Sequence, residues 1–406
     1  MPTVITYPGV FGPYSPITFT RASTATYFDS TGTLTTAATN APRLDYNPST
    51  LAARGLLIEE ARTNSIRNST MQGAVIGSPG TIPTTWQLLA PLGVTRRITL
   101  PIVSGVQCID INFSGTTTTN DPIEVTPDGL ATVASNGQSW SGSAWVQVVQ
   151  DDPAITSTSY ETWLFDGLNA FLNTGAANNF YSTRTSFTRR IISQTLADPS
   201  VAGIKSYFRT NVIPSGTILN FTLRIGLPQL ELGAFATSVI PTTTTALTRA
   251  ADVASVNTLS PWYNSASGTL FSESFVQNAP SVSSITVSTL SDNTTSNQMR
   301  ISTGIGSGGN LNFQVSEGGV TQAQLVFGSL TTPSIHKLAG AYQINNFAAC
   351  MDGGSVLTDV SGNVPVVNRL YIGLTSNGIS SGQQWIRRIT YYPRALSSAE
   401  LVSLTS

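Results

Sequence analysis

Two stretches of the chain alternate apolar and polar residues with a period of two. From Phe221 to Leu227, Phe221, Leu223, Ile225 and Leu227 fall on one side, with Thr222, Arg224 and Gly226 on the other. From Ser141 to Val149, Ala144, Val146 and Val148 face one way, and Ser143, Trp145 and Gln147 the other. Successive side chains of a strand point to opposite faces, so this period predicts half-buried antiparallel strands. Turn signals punctuate the region: Ser135-Asn136-Gly137, Asp166-Gly167, Asp198-Pro199 and Pro214-Ser215-Gly216. Short strands with regular turns over residues 65–248 predict a β-sandwich of the jelly-roll type.

The flanks read differently. Prolines at 2, 8, 13, 16, 42 and 48 interrupt any helix in residues 1–64. The one mainly apolar cluster there is Gly55-Leu56-Leu57-Ile58, just before Glu59-Glu60. Residues 1–64 are expected to be an extended leader that packs on the next domain or on a partner chain, as an attachment or lacing element. Its removal to residue 55 is expected to leave the rest folded. The boundary of the jelly roll falls between Pro241 and Asn257, after the run Thr242 to Thr245. Residues 255–406 are expected to form a second sandwich, with strands at Gly268–Phe275, Arg369–Gly373 and Trp385–Tyr392. Ala395 to Val402 predicts one short helix, with Ser397 as N-cap and Glu400 completing a capping box. The glycines of 304–309 read as a flexible strand connection; no Lys-Ser/Thr ending makes them a phosphate loop. The fold class is therefore all-β.

Composition narrows the function. Only 10% of the 406 residues are charged, against roughly 25% in an average soluble protein. Twenty Lys+Arg nearly cancel twenty-one Asp+Glu, giving a net charge of −1. No basic face built to neutralise phosphates is expected, so nucleic acid is excluded as a partner. A net charge near zero favours self-association, which points to a fixed assembly. A single histidine, His336, removes most His-based catalysis and zinc binding, and reads as a strand-surface or partly buried residue. Cys108 and Cys350 sit among apolar neighbours and read as buried, reduced thiols. Met1 to Val10 shows no secretory pattern, and no stretch approaches the roughly 18 apolar residues of a membrane span.

Uncharged, hydroxyl-rich strands suit sugar recognition. The C–H face of a sugar stacks on Trp or Tyr, while its hydroxyls need planar polar partners. Trp145 and Gln147, on the non-core side of their strand, offer this combination, with Arg224 and Thr222 expected on the same sheet face. The competing place for Trp145 is against the leader or a neighbouring subunit. Trp86, after Pro83-Thr84-Thr85, is a candidate loop contact or a cap on the sandwich end. Trp163 has aromatics on both sides of its strand and is expected to be buried on both faces. Trp262 and Trp385 read as packing residues. The acidic groups Asp151-Asp152, Glu59-Glu60 and Asp121 with Glu124 match glycoside hydrolysis by composition only, because neighbouring carboxylates on a strand face opposite ways. Asp121, Glu124 and Asp128 could supply oxygens to a structural calcium, with no strict calcium pattern to fix them. No other cofactor is expected.

Three stretches resemble a known family. They are Phe19-Thr20-Arg21-Ala22-Ser23-Thr24 with Pro42-Arg43-Leu44-Asp45-Tyr46 and Arg54-Gly55-Leu56-Leu57-Ile58-Glu59; Pro228-Gln229-Leu230-Glu231-Leu232-Gly233-Ala234-Phe235 with Thr248-Arg249-Ala250-Ala251-Asp252; and Tyr392-Pro393-Arg394-Ala395-Leu396-Ser397. Together they resemble tailed-bacteriophage virion proteins of the head-spike or tail-fibre type. The resemblance implies a middle region similar to a carbohydrate-binding-module jelly roll and a last region similar to a laminin-G or concanavalin-like sandwich. It further implies a non-enzymatic homotrimer on the virion exterior. Such a protein binds host-surface polysaccharide and attaches to other virion proteins through its leader. A purely structural decoration protein and a capsule depolymerase are the alternative readings.

Overall fold

The computed structural model describes residues 3–6, 17–277, 285–303, 310–328, 330–379 and 382–406. The glycine run of 304–309 lies outside the described residues. Strands account for 51% of the chain and helix for 3%, so the chain is all-β as expected. It divides into two compact units. One holds residues 1–61 together with 250–406, and the other holds 62–249.

In the 62–249 unit two antiparallel sheets face each other. The first runs Ile102–Val103, Val106–Thr116, Ile218–Leu232, Ser139–Gln150, Thr188–Thr195, with Val94–Thr99 also paired to Val106–Thr116. The second runs Phe171–Asn179, Thr158–Phe165, Gly203–Thr210, Glu124–Thr126, Gln87–Leu89, with Thr132–Val133 also paired to Gly203–Thr210. The predicted alternation holds on the core side: Phe221, Leu223, Ile225, Ala144, Val146 and Val148 are all buried in one cluster. Fully burying a side chain of this kind stabilises by about 1.5–3 kcal/mol, so the core outweighs the modest strand propensity of the polar positions. Gly142 marks where the layers approach closely, because a Cβ there would lie 2.7 Å from the Tyr160 hydroxyl.

The other unit is also a sandwich. Its larger sheet runs Leu357–Asp359, Asn346–Met351, Ser334–Gln343, Ser267–Val276, Gln384–Tyr392, Ala53–Ile58, Leu44–Tyr46, with Thr3–Thr6 also paired to Gln384–Tyr392. Its second sheet runs Ile17–Thr20, Val253–Val256, Arg369–Ile372, Thr286–Ser291, Gln298–Thr303, Leu311–Glu317, Val320–Val326. Leu56, Ile58, Leu290, Ile301, Phe313 and Ile389 meet in its core. The helix spans Ser398–Thr405 with the expected capping box at Ser397 and Glu400, and it buries Leu401 against Phe271 and Cys350. Cys350 and Cys108 are both buried and free, and burial pushes the Cys108 thiol up to about 12.

The expected separate leader is corrected here. Residues 44–46 and 53–58 are strands of one sheet and residues 17–20 an edge strand of the other, so removal to residue 55 takes core away from the unit formed with 250–406. These strands are three to six residues long, too short to show alternation in the sequence. A buried ionic cluster fixes them. Arg21 and Arg43 both reach Asp252, at 3.0 Å and 2.5 Å, and Arg43 also reaches Glu59 at 2.7 Å. All four side chains are shut off from solvent. The backbone closes the same joint, with the Asp252 N–H donating to the Glu59 carbonyl at 2.9 Å. Removing one partner of a buried pair leaves an uncompensated charge and costs about 3–5 kcal/mol. Asp252→Ala is therefore expected to lower the stability of the 1–61/250–406 unit by about that amount, with the 62–249 transition unmoved in a calorimetric scan of the whole chain.

Of the two positions the sequence allows for His336, surface and partly buried, the structure takes the buried side, at 4% exposure. Its Nδ1 lies 2.7 Å from Asp352 Oδ2 and its Nε2 2.8 Å from the Thr331 carbonyl. Both neighbours are acceptors, so the imidazolium form satisfies both. The bond to Asp352 holds the ring above its ordinary 6.5, against the effect of burial. A raised folded value means the stabilisation is fully present below pH 6.5 and is lost as pH rises through the folded value. The single histidine ring signal in NMR should titrate above 6.5, and Asp352→Asn should bring it down. A ring that titrates at or below the ordinary value would contradict this arrangement.

Candidate functional site

The register brings Gln147 opposite Arg224, and Trp145 lies two residues away on the same face. The arrangement is already satisfied within the protein. Arg224 holds Asp110 in a two-pronged ion pair at 2.7 and 2.8 Å, and its Nη1 donates to Gln147 Oε1 at 3.0 Å. Gln147 in turn donates to the Thr185 carbonyl at 2.8 Å. Trp145 is only 8% exposed and lies 5.3 Å from the Phe187 ring in a stacked contact. Trp86 is 6% exposed and belongs to the core cluster of the 62–249 unit. Neither indole is an open platform, which corrects both tryptophan candidates. The turn before Trp86 carries Pro83, and the Trp86 N–H donates back to the Pro83 carbonyl at 3.1 Å, which tucks the ring inward.

The carboxylate candidates are also engaged structurally. Asp128 is gripped by Arg67 at 2.8 and 2.6 Å. Glu124 pairs with Arg209 at 2.9 Å. Asp151 pairs with Arg184 at 2.7 Å, and Asp152 accepts from the Asn220 N–H at 2.8 Å. Among the described residues no group of three or more His, Cys, Asp or Glu could hold a metal ion.

A different face of the same unit gathers the aromatic and polar groups that sugar binding needs. On Thr158–Phe165, Tyr160, Thr162 and Leu164 are buried, while Ser159, Glu161 and Trp163 stay half-buried on the opposite side. On Gly203–Thr210, Ile204 and Phe208 are core residues, so Lys205, Tyr207 and Arg209 share the outward side by strand alternation. The pairing sets Trp163 opposite Lys205, Glu161 opposite Tyr207 and Ser159 opposite Arg209. Glu124 then faces Arg209 from the next strand.

These side chains form one connected layer. The Trp163 indole stacks on the Tyr207 ring at 4.0 Å with 22° between planes. Phe171, 52% exposed, tilts against Trp163 at 5.0 Å and flanks it. The Arg209 guanidinium carbon lies 5.6 Å from the centre of a Trp163 ring. Glu161 fixes the indole, accepting from Trp163 Nε1 at 2.8 Å and from the Ser159 hydroxyl at 2.6 Å. Burial pushes Tyr207 up to about 12, so it stays a neutral donor near neutral pH. Burial also pushes the Glu124 carboxyl up, against the pull of Arg209.

The expectation that Trp163 is buried on both faces is thereby corrected. Phe165 is buried beside it, but Ser159 and Glu161 mark this side as the wetter one. The missed signal was Lys205-Ser206-Tyr207-Phe208-Arg209, whose alternate positions are cationic or aromatic.

No family model matches the chain, and no curated protein matches it significantly. Among solved structures it is similar to the CBM40 of Ruminococcus gnavus IT-sialidase bound to alpha2,3 sialyllactose, at 13% identity over 35% of this chain and 84% of that one, with a TM-score of 0.29. It is also similar to the CBM22 tandem domain of Paenibacillus barcinonensis Xyn10C, at 10% identity over 83% and 99%, TM-score 0.26. A third is the mouse laminin alpha1 chain, domains LG4-5, at 10% identity over 69% and 90%, TM-score 0.24. Likenesses this distant carry no weight for function.

The corrected tryptophan makes a direct prediction. Trp86→Ala should cost about 3–5 kcal/mol of stability in the 62–249 unit, as buried aromatic truncations do. Binding to any glycan, measured on the fraction that remains folded, should be unchanged.

Proposed function

We propose that this chain is a non-enzymatic glycan-binding protein whose binding face is the layer around Trp163. One observation carries the reading: an indole held flat on Tyr207, partly exposed, with charged and hydroxyl groups on its borders. A pyranose ring presents C–H groups that stack on such a surface, an aromatic contact worth about 0.5–1.5 kcal/mol beyond the area it buries. Each carboxylate oxygen of Glu161 retains a lone pair after its internal bond, and so can accept from a sugar hydroxyl. Arg209 supplies further donors beside it.

Binding rather than cleavage is favoured by the state of the acidic groups. Hydrolysis needs one carboxyl free to give a proton and a second free to attack or activate water. Glu124 is ion-paired with Arg209, and Glu161 accepts a hydrogen bond at each oxygen, so neither is placed as a protonated acid with a proton to give.

The three motif stretches support display on the exterior of a phage particle, as a tail-fibre or head-spike component presented in several copies. Repetition matters for a weak site, since linked copies exceed single-site affinity by roughly 10²–10⁴ without new contacts. The expected homotrimer follows from that reading, and sedimentation of the purified chain tests it.

Trp163→Ala tests the site. Screening on a glycan array followed by calorimetric titration of the best ligand should show a loss of at least about tenfold, which is about 1.4 kcal/mol, with an unchanged circular dichroism spectrum. Undiminished binding by that variant would remove the assignment. Release of new reducing ends from the bound polysaccharide would replace the binding reading with a depolymerase.

A further inference from the structure

On the same face, resting on the platform reading, one cation is unlike the others. Lys205 is only 7% exposed, and it stands directly across the strand pair from Trp163. Its ammonium lies 4.5 Å above the Phe165 ring. Among the described residues it has no hydrogen-bond acceptor and no ion-pair partner. The other two cations near it are matched: Arg209 by Glu124 at 2.9 Å, and Arg67 by Asp128 at 2.6 Å. Asp128 exerts a longer-range attraction on Lys205. Its oxygens, however, already accept from Arg67 and from the Arg67 and Leu130 N–H groups.

An ammonium packed over a ring face in a buried side chain loses part of the hydrogen bonding it has in water. Burial accordingly pulls the Lys205 amine below its ordinary range. The nitrogen keeps a small area open to solvent, and that is the side from which a ligand oxygen would approach. Its three N–H donors lie beside the aromatic layer on which a sugar ring would rest.

We propose that Lys205 reads an anionic substituent, a carboxylate or a sulfate ester, carried by the glycan stacked on Trp163. The anion supplies the acceptors that Lys205 lacks, and does so in a setting where water is largely excluded and charge attraction is correspondingly strong. The Arg209 charge is already balanced by Glu124 at 2.9 Å, whereas Lys205 has no carboxylate within ion-pair distance among the described residues. The face thus selects acidic over neutral polysaccharide through one residue, while the aromatic layer supplies affinity common to both.

The test uses matched probes on the intact chain: polygalacturonate against its methyl ester, and dextran sulfate against dextran, by affinity electrophoresis and titration. The unaltered protein should bind at least one charged member about tenfold more tightly than its neutral counterpart, and the gap should narrow as salt is raised. Which pair shows the gap distinguishes carboxylate from sulfate. Lys205→Met should abolish the gap while leaving neutral binding in place, and Lys205→Arg, which keeps the charge, should retain much of it. Trp163→Ala should weaken both members alike. A gap that persists in Lys205→Met, or no gap in the unaltered protein for either pair, overturns the assignment of Lys205. Unchanged binding in Trp163→Ala, with the gap still dependent on Lys205, instead counts against the platform. Should Lys205→Met fail to fold, Lys205→Gln takes its place with the same expected loss of the gap.

Discussion

Two guanidinium groups and two carboxylates, sealed from water, hold together a sandwich whose strands come from widely separated parts of the chain. Arg21 and Arg43 converge on Asp252, and Arg43 also holds Glu59. Taking four charges out of water is expensive, and the mutual attraction repays it only when geometry and charge balance are both right. Here two positive and two negative groups cancel. Spare donors are spent on backbone carbonyls, Arg21 on Ser23 and Ala38, and Arg43 on Thr26. An apolar replacement could fill the volume, but it would not specify that the strand before the insertion must meet the segment after it. The unit of 62–249 has a comparable joint near its own ends. There the Thr237 hydroxyl and N–H donate to Glu231, and Arg249 donates to the Thr237 and Ser238 hydroxyls.

This accounts for what the motif stretches encode. Arg21, Arg43, Glu59, Glu231, Arg249 and Asp252 are all buried, so these charged residues of the first two stretches are among those that close the fold. The proposed binding face is built from a different set, Trp163, Tyr207, Phe171 and Arg209, on strands with no such motif. On that proposal fold and recognition are encoded separately, and a motif comparison sees chiefly the first.

The legible part of the fold was the part with a long period-two pattern. Phe221, Leu223, Ile225, Ala144, Val146 and Val148 face the core as the alternation predicts, and the capped helix at Ser398–Thr405 follows from local chemistry alone. Three kinds of information were not local. The strands of residues 17–58 are too short to alternate visibly, and two of them find partners far along the chain, Ile17 opposite Val256 and Ile58 opposite Gln384. Trp145 lies on the side of its strand that the alternation predicts, but what covers it, Phe187, comes from elsewhere in the chain, and Trp86 is buried by partners its own segment does not reveal. Trp163 was misjudged for the converse reason. Apolar neighbours on both sides suggested full burial, while its exposure is set by what the neighbouring strands leave uncovered.

The discontinuous arrangement also dictates an order of events during synthesis. Residues 62–249 contain every strand of their own unit, so that sandwich can close while the remainder of the chain is still being made. The strands Ile17–Thr20 and Ala53–Ile58, although made before them, must wait for partners at Val253–Val256 and Gln384–Tyr392, and contacts of such long sequence separation form slowly. The nascent chain therefore carries unpaired early segments past a finished neighbour. With only 10% of residues charged, electrostatic repulsion does little to keep those segments from pairing with another copy in the meantime.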